Sequence, residues 1–149
     1  MAIVQIRRPT ALSRTEQYAK TASTVYAAKT LVSPNENKTA NVFDVSTASS
    51  ESILGVIVGP IAATDGDYAS ETKVPILIDE FADYQFAVGT GTADVNDEQD
   101  YIDLKDADEV DVTTTPVVDT VFVTNFISGT SVGGKITSWT TWNPPQMRA

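Results

Sequence analysis

The 149-residue chain contains no cysteine and no histidine. Without cysteine there is no disulfide, thiolate nucleophile, thiolate zinc site or cysteine-ligated iron–sulfur cluster. Without histidine the Ser-His-Asp and Cys-His arrangements fall away, as do the commonest proton shuttle near neutral pH and most transition-metal sites. Carboxylates, lysine, tyrosine and hydroxyls remain. Long hydrophobic runs are missing as well. The most apolar stretch, Ile53–Ile61, is broken by Gly55, Gly59 and Pro60, far short of the roughly 20 residues that span a bilayer. The opening residues place Arg7 and Arg8 after a short apolar patch, the reverse of a secretion signal, so a soluble product released in the cytoplasm is expected. Positive charge is scarce: ten Lys+Arg against twenty Asp+Glu give −10, which argues against nucleic acid as a partner.

What is present suits one globular domain. The length is too small for two independent cores, and 42% hydrophobic with 20% charged residues is a composition that folds. Charge is unevenly divided. Residues 1–38 carry six basic and two acidic side chains, a balance of 6 − 2 = +4, and residues 39–149 carry four and eighteen, a balance of 4 − 18 = −14. Fifteen of those eighteen carboxylates lie between Asp65 and Asp111. Residues 1–21 therefore read as a basic N-terminal arm, residues 22–142 as the body and residues 143–149 as a C-terminal tail. Within the arm Ile3, Val4 and Ile6, bounded by Pro9, suit a short extended piece that adds to a sheet edge, with Arg7 and Arg8 answering acidic groups beside it. Ser13…Glu16 has capping-box spacing and predicts a short helix over 13–20.

The body reads as all-β, a single compact β-sandwich or β-barrel. Thr24–Val32 is rich in β-branched residues and predicts a strand. Further β-favouring runs recur at Ala40–Val45, Ser52–Val58, Lys73–Ile78, Tyr84–Val88, Asp100–Leu104, Glu109–Thr113, Val117–Ile127 and Lys135–Trp142. Gly133-Gly134 has the form of a two-residue hairpin connection. Pro75 cannot donate to a ladder, so its strand is expected to start there or to lie at an edge.

Few constellations suggest chemistry. Gly89-Thr-Gly91 lacks the third glycine of a dinucleotide fingerprint and reads as a turn. Asp94–Asp100 has the oxygen density of a calcium loop, but Gln99 stands where the glycine is required and Lys105 where the closing glutamate is required, which excludes an EF-hand. A looser site at Asp94, Asp97 and Asp100 competes with a solvated loop, and the solvated loop is preferred. Carboxylate pairs of glycosidase type carry little weight where fifteen carboxylates share one stretch. No metal and no cofactor are expected. Trp139 and Trp142, three apart, would face opposite sides of a strand; one reads as core and the other as an interface.

The order of Thr24-Val-Tyr with Leu31-Val32, then Ile53–Pro60, then Lys73–Ile78 with Tyr84–Val88, resembles the head decoration, or cement, proteins of tailed bacteriophages. These are small, cysteine-poor all-β proteins that bind the outer face of an assembled capsid, often as trimers, and clamp neighbouring capsomers through terminal arms. The resemblance implies a non-enzymatic virion protein on the capsid exterior, a homotrimer whose partner is the major capsid protein, with no membrane involved. Ile3, Val4 and Ile6 would then dock as an added strand, and Arg7, Arg8 and Arg14 would pair with capsid carboxylates. Other virion parts, such as a tail-tube or head-fibre subunit, and a carbohydrate- or protein-binding β module are the alternatives.

Overall fold

The computed structural model describes residues 3–35, 41–113 and 116–139, so Trp142 and the expected tail lie outside the described residues. The described part is all-β apart from one 3-10 turn at Val95–Asp97. The strands are β1 (Gln5–Arg8), β2 (Arg14–Ala19), β3 (Leu31–Pro34), β4 (Phe43–Val45), β5 (Gly55–Ile57) and β6 (Lys73–Ile78). They continue with β7 (Asp83–Thr90), β8 (Tyr101–Leu104), β9 (Glu109–Asp111), β10 (Val121–Ser128) and β11 (Ser131–Ile136).

One sheet runs β1-β7-β11-β10-β8-β9, and a parallel pairing of β9 with β7 closes its last five strands into a barrel. The second sheet runs β2-β6-β5-β3-β4. Alternation fills the barrel: Tyr84 and Phe86 of β7, Val121 and Val123 of β10 and Val132 of β11 all point inward and are fully buried. Leu31 and Val56 of the second sheet join that cluster, while their neighbours Val32 and Ile57 belong to a second cluster with Tyr26, Phe43, Ile76 and Ile78. Strands β3 and β5 are thus buried on both faces, which is why they read as continuous apolar runs rather than alternating ones. The Tyr26 ring meets Phe43 edge-on, with centroids 5.3 Å apart, and its hydroxyl donates to the Phe43 carbonyl.

Residues 3–19 are part of this body, which corrects the reading of residues 1–21 as a separate arm. Strand β1 pairs with β7 and β2 with β6, so the segment runs as a strap antiparallel to Lys73–Thr90 along both sheets. The helix expected over 13–20 is strand β2 instead, in register with β6 through six residue pairs from Arg14–Ile78 to Ala19–Lys73. An open ladder on β6 outweighs a helix start that only Ser13 and Glu16 favour. Two charge contacts pin the strap. The buried Asp79 carboxylate accepts from the Thr10 amide and hydroxyl at 2.6 and 2.7 Å. The Arg14 guanidinium grips Glu80 with two hydrogen bonds of 3.0 and 2.6 Å.

Other expectations shift for local reasons. Of the strand expected at Thr24–Val32, only the end from Leu31 is strand. Tyr26 forms an isolated bridge to Ile61, and Lys29 has a left-handed backbone, φ 58°. Gly133 and Gly134 lie inside β11, and the β10–β11 turn falls at Gly129-Thr130. A Cβ on Gly133 would strike the Arg7 guanidinium, and one on Gly134 would strike Val121 and the Phe122 carbonyl, so these glycines permit close approach. Pro75 sits within β6. The Lys20 amide donates to Thr72 in the same ladder, and antiparallel alternation then turns the Pro75 nitrogen away from β2. On its other side the Val58 amide donates to the Pro75 carbonyl at 3.4 Å, and the β5 ladder ends there because the proline has no N–H to return the bond.

Candidate docking surface

One edge of β7 carries two strands in succession. Antiparallel β1 covers it from Asp83 to Gln85, and parallel β9 covers it from Ala87 to Thr90. The register slips between Ile6 and Arg8, leaving Arg7 as the extra residue of a bulge. Bulges aim neighbouring side chains to one side, and Arg7 and Arg8 both reach the outer face of the barrel. There Arg8, 70% exposed, lies 3.5 Å from the Asp83 carboxylate, and Lys135 approaches the same carboxylate at 3.3 Å. The Arg7 guanidinium lies over Gly133, its Nη1 buried without a hydrogen-bond partner among the described residues.

The same face holds a cross-strand row. Tyr101 opposes Phe122, Phe122 opposes Lys135, and Asp83 lies beyond Lys135 with Arg8 opposite it. The row crosses β8, β10, β11, β7 and β1, about 19 Å at the usual strand spacing. Tyr101 is half exposed, and its ring packs edge-on against Phe122 at 5.1 Å. Two cations, Arg8 and Lys135, share the Asp83 carboxylate on this face of an otherwise acidic protein, and Arg7 lies over Gly133. Nothing in the sequence singled out Tyr101, Phe122, Lys135 and Asp83. The available signal was their outward phase within strands whose alternate residues are apolar.

A second feature flanks β1. A groove of about 320 Å³, lined by Ile3, Ile6, Lys29, Val56, Val58 and Leu77, lies beside its outer edge. Val4 is buried and its amide donates to the Lys29 carbonyl, away from β7. The amide of Ile6, two residues on, faces the same way. Ile3 and Val58, each nearly half exposed, rim the groove.

The acidic stretch is spent mostly on backbone. Asp94 and Asp97 cap the 3-10 turn reciprocally, Glu98 accepts from the Phe126 amide at 2.8 Å, and Asp103 gathers the amides of Val117, Val118 and Asp119. In the β8–β9 turn, however, Asp106, Asp108 and Glu109 bring carboxylate oxygens within 4.8 Å of one another, the geometry that could hold a cation. Partial burial, the hydrogen bond with Asp106 and repulsion from Asp106 and Glu109 push Asp108 up to about 6. Burial also opposes the charge on Asp106, but hydrogen bonds with Asp108 and Glu109 outweigh it and hold that carboxyl below its ordinary value.

Of the site residues expected from sequence, Ile3, Val4 and Ile6 do lie on an edge strand, added to the chain's own β7. Arg7 and Arg8 lie together on the outer barrel face. Arg14 is turned inward to Glu80 and Glu16, hydrogen bonds that raise its pKa still further. Trp139 is 45% exposed and its amide donates to the Ile53 carbonyl, while Trp142 is outside the described residues. No helix among the described residues is long and apolar enough to cross a membrane. No family model and no curated protein matches the chain.

Proposed function

We propose that the protein is a non-enzymatic structural component of a tailed-phage virion that binds the outer surface of the capsid and bridges neighbouring capsomers, with the major capsid protein as its partner. The observation that carries this reading is the outer barrel row. Tyr101, Phe122 and Lys135 form a flat aromatic and cationic strip on a rigid closed sheet, with Arg7 beside them over Gly133. Aromatic side chains supply contact area at low entropic cost, and the cations set register against carboxylates on a shell. Exposed ion pairs contribute only about 0–1 kcal/mol each, so several copies acting together on one shell supply the affinity. Arg14 plays no part, because Glu80 and Glu16 hold it.

The strap alters the test that the sequence suggests. Removing residues 1–14 would take Val4 from the core and Thr10 from Asp79, so loss of binding would report unfolding. Point variants on the row avoid this. Cosedimentation with undecorated shells assembled from the cognate major capsid protein is expected to pellet the parent protein. Tyr101→Ser with Lys135→Glu is expected to weaken pelleting by about tenfold or more, in keeping with loss of an aromatic anchor. A folded parent protein that stays in the supernatant would remove the capsid reading.

A further inference from the structure

We infer that the β1 edge is a contact between two copies of this chain, related by a twofold axis, in which Arg8 of each copy faces the Asp106–Glu109 turn of the other. The argument begins with charge order along one edge. Reading down β7 from Asp83, its partners are Arg8 with Arg7 beside it, then Ile6 and Gln5, then Glu109 after the turn that holds Asp106 and Asp108. The edge is therefore cationic at one end and anionic at the other, with the exposed Lys29 beside its middle. The run from Asp83 to Ala87 is about 13 Å at the usual rise per residue. An edge polarised in this way repels a parallel copy of itself and complements an antiparallel one. Antiparallel is the arrangement a twofold axis imposes, because the same patch then meets itself reversed.

The middle of the edge suits the same contact. The outward amide of Ile6 lies on this edge next to the Val4 amide, which the Lys29 carbonyl takes, and the groove rimmed by Ile3 and Val58 lies beside it to cover apolar surface. Each end also carries like charges that a second copy relieves. Three carboxylates crowd the turn, with Lys105 the cation at hand, 3.9 Å from Glu109. At the other end two cations share Asp83. The resemblance to decoration proteins implies a trimer; the charge order along β7 favours two copies. The inference does not rest on the shell, and the row from Tyr101 to Lys135 adjoins this edge at Asp83, which Arg8 and Lys135 share.

Charge reversal tests it without knowledge of any other partner. Light scattering after size exclusion at low ionic strength is expected to give the mass of two chains, falling to one in molar salt. Arg8→Glu alone and Asp108→Lys alone are each expected to weaken self-association by about tenfold or more, since like charges then meet twice across the axis. Two results are diagnostic. The double variant R8E/D108K should dimerise again, because the exchanged charges at positions 8 and 108 oppose each other across the axis once more. A mixture of the two single variants should form a one-to-one pair. A monomer at low ionic strength, a mass of three or more chains, or single variants that dimerise like the parent would each overturn the inference. A circular dichroism spectrum shows that each variant is folded, and the mixing experiment keeps the test decisive if one single variant loses stability.

Discussion

The basic leader and the acidic middle of the chain differ in how the fold answers their charges. Cations of the leader are answered by acceptors far away in sequence: Arg8 by Asp83, Arg14 by Glu80, and the fully buried Lys20 by the carbonyls of Asp67, Tyr68 and Ser70. Carboxylates of the middle are answered mainly by backbone amides: within the same turn at Asp94 and Asp97, from residues 117–119 at Asp103, and from Phe126 of β10 at Glu98. The difference follows from supply. A chain with twice as many acids as bases cannot pair every carboxylate with a cation, and backbone amides are the donors left. The leader's cations are thereby stitched to the body across 47 residues of sequence or more, and these carboxylates of the middle across 28 or fewer. Asp106, Asp108 and Glu109 are the exception in being crowded together, with Asp106 also accepting from the Asp108 amide.

This contrast can be broken from either side. The largest effect is expected for Lys20→Ala, which removes the three hydrogen bonds of a fully buried ammonium, while the Asp67 and Tyr68 carbonyls keep the amides of Ser70 and Ser23. Each hydrogen bond to a charged group is worth about 1.5–3 kcal/mol, so a loss of about 3 kcal/mol or more in chemical denaturation is expected, together with loosening of residues 67–70 in hydrogen exchange. Asp103→Ala, which frees three amides, should cost about 2 kcal/mol and affect residues 117–119 while leaving the strap protected. Arg14→Ala should cost less, about 1 kcal/mol or below, because the guanidinium is more than a third exposed and solvent screens the pair. A uniform loss of protection across the molecule in all three variants would erase the distinction between long-range and local stitching.

The smallest effect is expected at Asp108, and its sign is opposite. Its folded pKa of about 6 lies above the ordinary 3.8, so the folded state binds the proton more tightly than the unfolded chain does. The stability this contributes is complete below pH 3.8, declines as pH rises and is gone above about 6. Asp108→Asn should therefore gain in stability relative to the parent between those values and keep a small advantage at neutral pH. Carboxyl NMR titration of the parent should place the Asp108 midpoint near 6 with that of Asp106 lower. A midpoint for Asp108 at the ordinary value would show that the turn is not crowded in solution.

Much of the secondary structure was legible because the β signal is local. Lys73–Ile78 is β6 with the expected limits, and Tyr84–Val88, Asp100–Leu104 and Glu109–Thr113 locate β7, β8 and β9 to within a few residues. The all-β class, and the exclusions that follow from lacking cysteine and histidine, likewise depend on residue identity alone. The misreadings occur where a segment's conformation depends on what packs against it. Ser13–Lys20 is a strand because β6 offers it a ladder, and Gly133 is a glycine because Arg7 crosses β7 to lie on it.

The docking surface divides in the same way. From Ile3–Ile6 and the arginines that follow, the sequence by itself determined an extended segment that joins a sheet edge with its cations facing carboxylates. Whose edge and whose carboxylates depended on long-range pairing, because β1 laid against β7 brings Asp83 beside Arg8 across 75 residues of chain, 83 − 8, a proximity no local pattern encodes. Alternation within a strand shows which side chains point outward, but the row from Tyr101 to Arg8 exists only through the register between five strands. That register is set by packing of the buried face.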